Sequence, residues 1–240
     1  MTDLYWSELA WLGGATAEAG VLIEVDGGQI IRLQAGVASP AGATRLRGLT
    51  MPGLVNAHSH AFHRALRGRT HGGEGSFWTW REQMYRVAER LDPDSYHGLA
   101  RAVFGEMLLA GITCVGEFHY LHHGPGGVPY DDPNAMGAAL LAAAADVGIR
   151  ITLLDTCYLH GGVGADGAPL ALNPVQQRFS DGDADSFAER AAAVVVPPGA
   201  AARTGAAVHS VRAVDPASIG EVARWAGAAG LPLHAHVSEV

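Results

Sequence analysis

The chain has 240 residues, of which 48% are hydrophobic and 17% are charged, and its formal net charge is −8. This composition is typical of a globular protein with one large domain, or a domain and a half, and excludes a disordered chain. The acidic balance argues against a nucleic-acid-binding surface and against binding to an anionic membrane. The N-terminus shows no basic and apolar leader, and no apolar run reaches the roughly 18 residues of a membrane span, so we expect a cytoplasmic protein.

Residues 1 to about 50 have the pattern of β structure. Two short β-branched runs, 20–25 and 29–33, flank Asp26-Gly27-Gly28. This turn sequence between two such runs predicts a β-hairpin.

From about residue 51 the pattern alternates regularly between strand and helix. The predicted strands, all apolar, are 51–57, 112–119, 150–158, 205–211 and 231–237. The predicted helices between them are 77–90, 94–110, 134–147, 183–195 and 216–229. Acidic residues beside Pro93 and Pro133 predict capped helix starts, and glycines such as Gly148 predict helix ends. Five β/α units in order, with polar residues at the strand ends, favour a (β/α)8 barrel over an open doubly wound sheet.

A histidine pair closes the first predicted strand of this alternating region. The segment from Pro52 to His60 is an apolar strand that ends in His58-Ser59-His60. Because alternate residues of a strand face the same side, His58 and His60 can point at one metal ion. The alternative is a pair of satisfied surface histidines.

A second histidine motif lies at the end of the fifth predicted strand. His234-Ala235-His236 is followed by Glu239. If His236 binds a metal ion, Glu239 follows in the loop and can reach a bound water or a substrate nitrogen as a proton shuttle. The alternative is a strand-end histidine beside a solvated glutamate. We interpret His234 as a packing residue or a support for the ligands.

Two arginine-containing segments are candidates for a substrate pocket. His209-Ser210-Val211-Arg212 follows the fourth predicted strand, where Arg212 can hold an anionic group or remain a solvated loop residue. Phe77-Trp78-Thr79-Trp80-Arg81 predicts a pocket wall with Arg81 pointing inward. The alternative is a helix that packs through its tryptophans and leaves Arg81 exposed.

A third polar cluster ends the second predicted strand. In Glu117-Phe118-His119-Tyr120, the Tyr120 hydroxyl can donate to a ligand, and we expect His119 close to the metal. His122 and His123 are interpreted as ordinary loop residues.

These motifs together resemble a known family. The segment from Pro52 to His60 resembles the first-strand motif of the amidohydrolase superfamily, and 234–239 resembles the fifth-strand H-x-x-E of its mononuclear zinc deaminases. Three further segments resemble the formimidoylglutamate deiminases within that superfamily; they are 77–81, 116–123 and 209–212. The resemblance extends over nearly the whole chain.

The resemblance implies an α/β fold, a TIM-type barrel of the amidohydrolase kind. Residues 51–240 would supply about five of its strands, and residues 1–50 part of a small N-terminal β-sandwich domain. One zinc ion per subunit would be held by His58, His60 and His236, with Glu239 moving protons. The substrate contacts that it implies are Arg81, Tyr120, His209 and Arg212. We expect His63 to be a further contact, at a position where the family pattern has glutamine.

The activity implied is hydrolysis of N-formimino-L-glutamate to N-formyl-L-glutamate and ammonia in histidine degradation, with the arginines on the substrate carboxylates. Two alternatives remain open: another aminohydrolase of the superfamily, or a catalytically inactive zinc-binding fragment. The family pattern continues through three more strands, so we expect the N-terminal part of an enzyme that is a homodimer at full length, or a broken reading frame. A barrel completed by a partner is the alternative. An isolated monomer would expose strand edges and apolar helix faces, which predicts poor solubility or association.

Overall fold

The structure is a computed structural model that describes residues 2–70 and 76–237. The chain divides after Leu54 into two compact units. Among the described residues, no helix has the length and apolar character needed to cross a membrane.

The N-terminal unit is a four-stranded sheet in the order β3-β2-β1-β4. Its strands are β1 (Asp3–Ala10), β2 (Glu18–Asp26), β3 (Gln29–Gln34) and β4 (Thr44–Thr50). The predicted hairpin is confirmed: β2 and β3 are antiparallel and joined at Gly27 and Gly28. Both glycines have positive φ, +55° and +76°, as the turns that match the twist of a hairpin require.

The second unit contains a five-stranded sheet in the order β11-β10-β7-β6-β5. Its strands are β5 (Leu54–Ser59), β6 (Ile112–His119), β7 (Arg150–Cys157), β10 (Ala202–Ser210) and β11 (Leu233–His236). A separate small hairpin is formed by β8 (Gly162–Val163) and β9 (Pro169–Leu170). Strands β6, β7, β10 and β11 pair in parallel, as the β/α alternation predicted.

Helices connect the successive strands of this sheet. They are α1 (Phe77–Ala88), α2 (Pro93–Leu109), α3 (Ala135–Val147), α4 (Ala184–Ala192) and α5 (Pro216–Ala228). Alternating parallel strands and helices in this order form the first part of a (β/α)8 barrel, which confirms the predicted fold class.

The capping predictions are confirmed for α2 and wrong for α3. The Asp92 side chain accepts from the Ser95 backbone N–H at 2.8 Å, which satisfies a donor in the first turn of α2. At α3 the N-cap is Asn134, without a side-chain cap. Asp132 instead accepts from the Asn134 N–H at 2.9 Å, so its carboxylate forms a turn before the helix. Gly148 ends α3 with φ +79°, as predicted.

The core of the second unit holds the carboxyl ends of the strands in place. Large apolar side chains from α2 and α3, such as Phe104 and Leu140, pack with strand residues such as Leu153. Strand β5 begins at Leu54, not at 51, because Pro52 has no N–H to donate to a neighbouring strand. It ends at Ser59, so His58 lies on the strand and His60 directly follows it.

Candidate active site

A cavity of about 580 Å³ lies at the carboxyl ends of the five parallel strands. The residues that line it include all the predicted site residues that the structure describes: His58, His60, His63, Arg81, Tyr120, His209, Arg212 and His236. The predicted proton shuttle, Glu239, lies outside the described residues. Side chains that are 178 positions apart along the chain therefore meet because parallel strands present their carboxyl ends on one side.

Three histidines form a cluster at one side of this cavity. His58, His60 and His236 each offer a ring nitrogen, and these atoms lie within 4.8 Å of one another. His60 Nε2 is 3.2 Å from His236 Nε2, and His236 Nε2 is 3.3 Å from His58 Nε2. Nitrogen ligands about 2.0–2.1 Å from one tetrahedral zinc ion lie roughly 3.3–3.4 Å apart. Both short separations fit that geometry.

The main chain fixes the protonation of two of these rings. His60 Nδ1 is 3.1 Å from the carbonyl oxygen of Phe118, and His236 Nδ1 is 2.9 Å from the carbonyl oxygen of His209. A carbonyl oxygen can only accept, so each Nδ1 carries the hydrogen and donates it. Each Nε2 then presents a lone pair, and two lone pairs that face each other are compatible with a cation between them. The donor set therefore fits a zinc ion.

Burial keeps three histidine rings of the cavity neutral: those of His60, His63 and His209. Burial, and next the neighbouring His236, lower the pKa of His60 from 6.5 to about 3. Burial also holds the pKa of His63 and of His209 well below the usual value. Neutral imidazole is the form that binds metal ions, so the His60 ring is ready for coordination at neutral pH.

His63 and Tyr120 form a polar pair beside the cluster. His63 Nε2 lies 2.7 Å from the Tyr120 hydroxyl, and the His63 ring centroid is 4.5 Å from that of His60. The hydroxyl is also 3.8 Å from Met84 Sδ. The pair thus places two groups capable of hydrogen bonding next to the histidine cluster.

Helix α1 supplies an aromatic and cationic wall of the cavity. Trp80 and Arg81 line the cavity, as the prediction of a pocket wall required, whereas Trp78 is 51% exposed. The Arg81 guanidinium lies 4.4 Å from the Trp78 ring centroid and 5.5 Å from that of Tyr85. Its Nε is buried and makes no hydrogen bond with the described residues. Such a buried donor on a cation is suited to an anionic ligand.

The end of β10 supplies the other two predicted side chains. His209 is 8% exposed, and its ring centroid is 4.5 Å from that of Tyr158. Arg212 follows the strand and lines the same cavity. Two arginines from α1 and from the loop after β10 therefore share one cavity with the three-histidine cluster.

A buried carboxylate on β6 contacts the turn that carries the histidine pair. Glu117 has no exposed surface; its Oε2 accepts from Ser59 Oγ at 2.6 Å and its Oε1 accepts from the Ala61 N–H at 2.5 Å. Burial raises the pKa of Glu117 to about 7, and these two hydrogen bonds oppose the rise. The sequence placed Glu117 at a strand end without assigning it a role.

Three other histidines, one at the end of β6 and two in the loop after it, lie away from the cavity. His119 was expected near the metal, but it follows Phe118 on the strand and so faces the opposite side, toward α3. His122 and His123, interpreted as loop residues, are buried: their Nε2 atoms lie 2.9 Å from Thr156 O and from Asp181 Oδ1.

These two histidines belong to a buried polar network around Arg190. The guanidinium donates to both oxygens of Asp155, at 3.0 and 2.8 Å, and to both oxygens of Asp181, at 2.8 and 3.0 Å. A compact ion network of this kind holds α4 against β7.

His234 takes no part in the histidine cluster. It lies on β11 two residues before His236 and lines a separate cavity of about 140 Å³ with Val55 and Ala57. This placement agrees with a packing role. Sequence reasoning did not identify Tyr158, which lines the main cavity directly after β7. Its position at a strand end was the signal that would have found it.

A parallel β/α sheet with a three-histidine cluster at the carboxyl ends of its strands defines the class of barrel proteins that includes metal-dependent hydrolases. Residues 49–240 match the amidohydrolase family, and the chain belongs to that family.

Relatives of known activity include deiminases and deaminases. The chain is 41% identical to formimidoylglutamate deiminase of Pseudomonas aeruginosa over 84% of this chain and 44% of that protein. It is 30% identical to 5-methylthioadenosine/S-adenosylhomocysteine deaminase of Natronomonas pharaonis over 92% of this chain and 44% of that protein. The chain thus spans about half the length of the curated relatives that it matches.

Solved structures show the same fold. An amidohydrolase from Brucella melitensis, 33% identical, superposes with a TM-score of 0.84 over 98% of this chain and 51% of that chain. Atrazine chlorohydrolase from Arthrobacter aurescens in complex with zinc, 21% identical, has a TM-score of 0.76 over 99% of this chain and 53% of that chain.

Proposed function

We propose that this chain belongs to a zinc-dependent deiminase that hydrolyses N-formimino-L-glutamate to N-formyl-L-glutamate and ammonia, in cytoplasmic histidine degradation. The observation that carries this proposal is one cavity containing both a three-histidine cluster and two arginines. The 41% identity to the formimidoylglutamate deiminase of Pseudomonas aeruginosa supports the same substrate.

His58, His60 and His236 are the residues that would hold the zinc ion. When bound, zinc lowers the pKa of a water molecule so that it can attack an amidine carbon at neutral pH. The Nδ1 hydrogen bonds to Phe118 O and His209 O keep two of the rings in the tautomer that leaves Nε2 available.

The substrate side of the cavity is built from cations and hydrogen-bonding groups. Arg81 and Arg212 bind the two carboxylates of the substrate, since guanidinium forms paired hydrogen bonds with a carboxylate. Tyr120, His63 and His209 line the same cavity and orient the formimino group. Glu239, three residues after His236, passes a proton to the departing nitrogen.

A second candidate is deamination of a heterocyclic amine. The 30% identity to 5-methylthioadenosine/S-adenosylhomocysteine deaminase favours it, as do the rings of Tyr120 and Tyr158, which are stacked with centroids 6.5 Å apart. Two arginines in the lining are better suited to a dicarboxylate than to a neutral heterocycle. A catalytically inactive zinc-binding fragment is the third candidate. The homodimer expected at full length stays a prediction.

The test measures binding and turnover separately. The zinc-loaded chain is titrated with N-formimino-L-glutamate and with 5-methylthioadenosine in a calorimeter, and ammonia release is measured with each compound. We expect N-formimino-L-glutamate to give both a heat of binding and ammonia release, and 5-methylthioadenosine to give neither.

Arginine variants identify the anchors. Arg81→Met and Arg212→Met should each weaken binding of the dicarboxylate without changing zinc content, whereas Arg101→Met, on the exposed face of α2, should change neither. Binding of the adenosine derivative in preference to the dicarboxylate would contradict the proposed substrate. Binding of the dicarboxylate without ammonia release would favour the inactive fragment.

A further inference from the structure

Glu117 lies at a point where a carboxylate is costly. It is fully buried on β6, and the described residues form no ion pair with it. An ionised carboxylate without a cationic partner loses its hydration on burial, and a similarly sized apolar side chain would avoid that cost. Stability of the core therefore does not explain a glutamate at this position.

The contacts of Glu117 are concentrated on the turn that carries a proposed metal ligand. Ser59 and Ala61 are the two neighbours of His60, and Glu117 accepts a hydrogen bond from each, from the Ser59 hydroxyl and the Ala61 N–H. The residue after Glu117 holds the ring itself, because Phe118 O accepts from His60 Nδ1. His60 is thus held at three points by two consecutive residues of β6.

We propose that Glu117 is a positioning residue for the metal site: its carboxylate clamps the turn from Ser59 to Ala61 and so holds His60 Nε2 beside His236 Nε2. The clamp acts through backbone and side chain together. The two anchors fix the direction in which His60 leaves the strand, and the Phe118 carbonyl fixes the rotation of its ring. Metal sites bind tightly when the groups that hold their ligands are themselves held, and loss of such support typically lowers metal affinity about 10- to 100-fold. This role rests on the zinc site of the proposed function.

The experiment compares zinc affinity among variants of the chain. Zinc is titrated in competition with a chromophoric chelator, and the absorption spectrum of the cobalt(II)-loaded protein reports ligand geometry. Glu117→Met removes both acceptors, so we expect an affinity loss of about 10- to 100-fold and an altered cobalt spectrum. Glu117→Gln is the conservative variant: its amide oxygen accepts from Ala61 and its NH₂ donates to Ser59 Oγ, which should restore near-wild-type affinity.

Tyr96→Phe is the matched control. Tyr96 is fully buried, and its hydroxyl makes no hydrogen bond with the described residues. Burial, and next the charge of Glu117, raise the pKa of that hydroxyl. Removing that hydroxyl should leave zinc affinity and the cobalt spectrum unchanged. If Tyr96→Phe weakens zinc binding as much as Glu117→Met, the effect is not specific to the clamp and the role is overturned.

Thermal unfolding of the metal-free protein shows whether Glu117→Met folds. If it does not, Ser59→Ala is the variant that tests the proposal. It removes one anchor and leaves the carboxylate in place, and we expect a smaller loss of affinity with a shifted cobalt spectrum. Wild-type affinity in folded Glu117→Met, or in Ser59→Ala with an unchanged spectrum, overturns the positioning role alone. A wild-type chain that binds zinc no better than His236→Ala overturns the proposed metal site, and with it this role.

Discussion

Replacing Arg178 by methionine should loosen helix α1 from the loop that follows β6. Arg178 is 1% exposed, the largest fully buried side chain among the described residues. Its guanidinium donates to the carbonyl oxygens of Ala88, the last residue of α1, and of Leu91, which follows the helix, and its Nε donates to His123 O at 2.8 Å. A cation at the carboxyl end of a helix also complements the helix dipole.

The size of the effect follows from these hydrogen bonds. Methionine fills most of the space but removes the Arg178 donor from the carbonyls of Leu91 and His123; Ala88 O loses it too but still accepts from the Leu91 N–H. Each unsatisfied buried carbonyl costs about 1–3 kcal/mol, and relief of the cost of burying a charge offsets part of that sum. We expect the free energy of unfolding to fall by about 3–5 kcal/mol, which is within the range for the loss of a buried network.

The assay is urea unfolding at neutral pH, monitored by circular dichroism. Arg101→Met is the control, because Arg101 is 61% exposed and its Nε lies 3.7 Å from Asp146. A surface change of this kind costs less than about 0.5 kcal/mol. Since α1 carries Trp80 and Arg81, Arg178→Met should also weaken binding of the dicarboxylate at temperatures where it is folded. A variant within about 1 kcal/mol of wild type would refute the reasoning that Arg178 anchors α1.

Three further predictions concern pH, the ion network and the metal. Burial, followed by the charge of Arg190, lowers the pKa of His122 from 6.5 to about 4. The neutral ring stabilises the fold above pH 6.5, and that contribution, about 3 kcal/mol, is lost as the pH falls toward 4. His122→Gln should remove this part of the acid sensitivity in urea titrations, and an unchanged pH profile would contradict it. Arg190→Met leaves Asp155 and Asp181 buried without their cation, so thermal unfolding should show a loss of about 3–5 kcal/mol; unchanged stability would contradict the pairing. Zinc at about 100 times its dissociation constant should stabilise the chain by about 2.7 kcal/mol, and the same increase in His236→Ala would place the ion elsewhere.

The sequence predicted the strands and helices of the barrel well because their signals are local. A parallel strand buried on both faces is a nearly continuous apolar run, and 112–119 has the observed bounds of β6. The strands β1 and β4 were not separately identified. Strand β4 alternates arginine with apolar residues in a largely exposed segment, so it lacks the apolar run of a buried strand. Their pairing, parallel across more than 30 residues, has no local signal.

The candidate site likewise has one part that the sequence predicts and another that it does not. The pairing of His58 with His60 follows from the period of two in a strand, so the sequence predicts it. The direction of the His119 side chain depends on which face of β6 packs against α3. The hydrogen bond between Ser59 and Glu117 joins residues that are 58 positions apart in the chain. These contacts depend on the register between strands, which the order of residues in one strand does not determine.

The main-chain hydrogen bonds to the histidine rings affect how this cavity can change during evolution. The carbonyl oxygens of Phe118 and His209 set the ring tautomers, and every amino acid supplies a carbonyl oxygen at those positions. Substitutions at 118 and 209 can therefore remodel the surroundings of His236, whose ring lies 4.3 Å from that of Phe118, without changing which nitrogen is free to coordinate. Only an insertion or deletion that slips β6 against β5, or β10 against β11, would disturb both the tautomer and the ligand. New substrate preferences can thus arise by single substitutions while coordination chemistry is inherited unchanged.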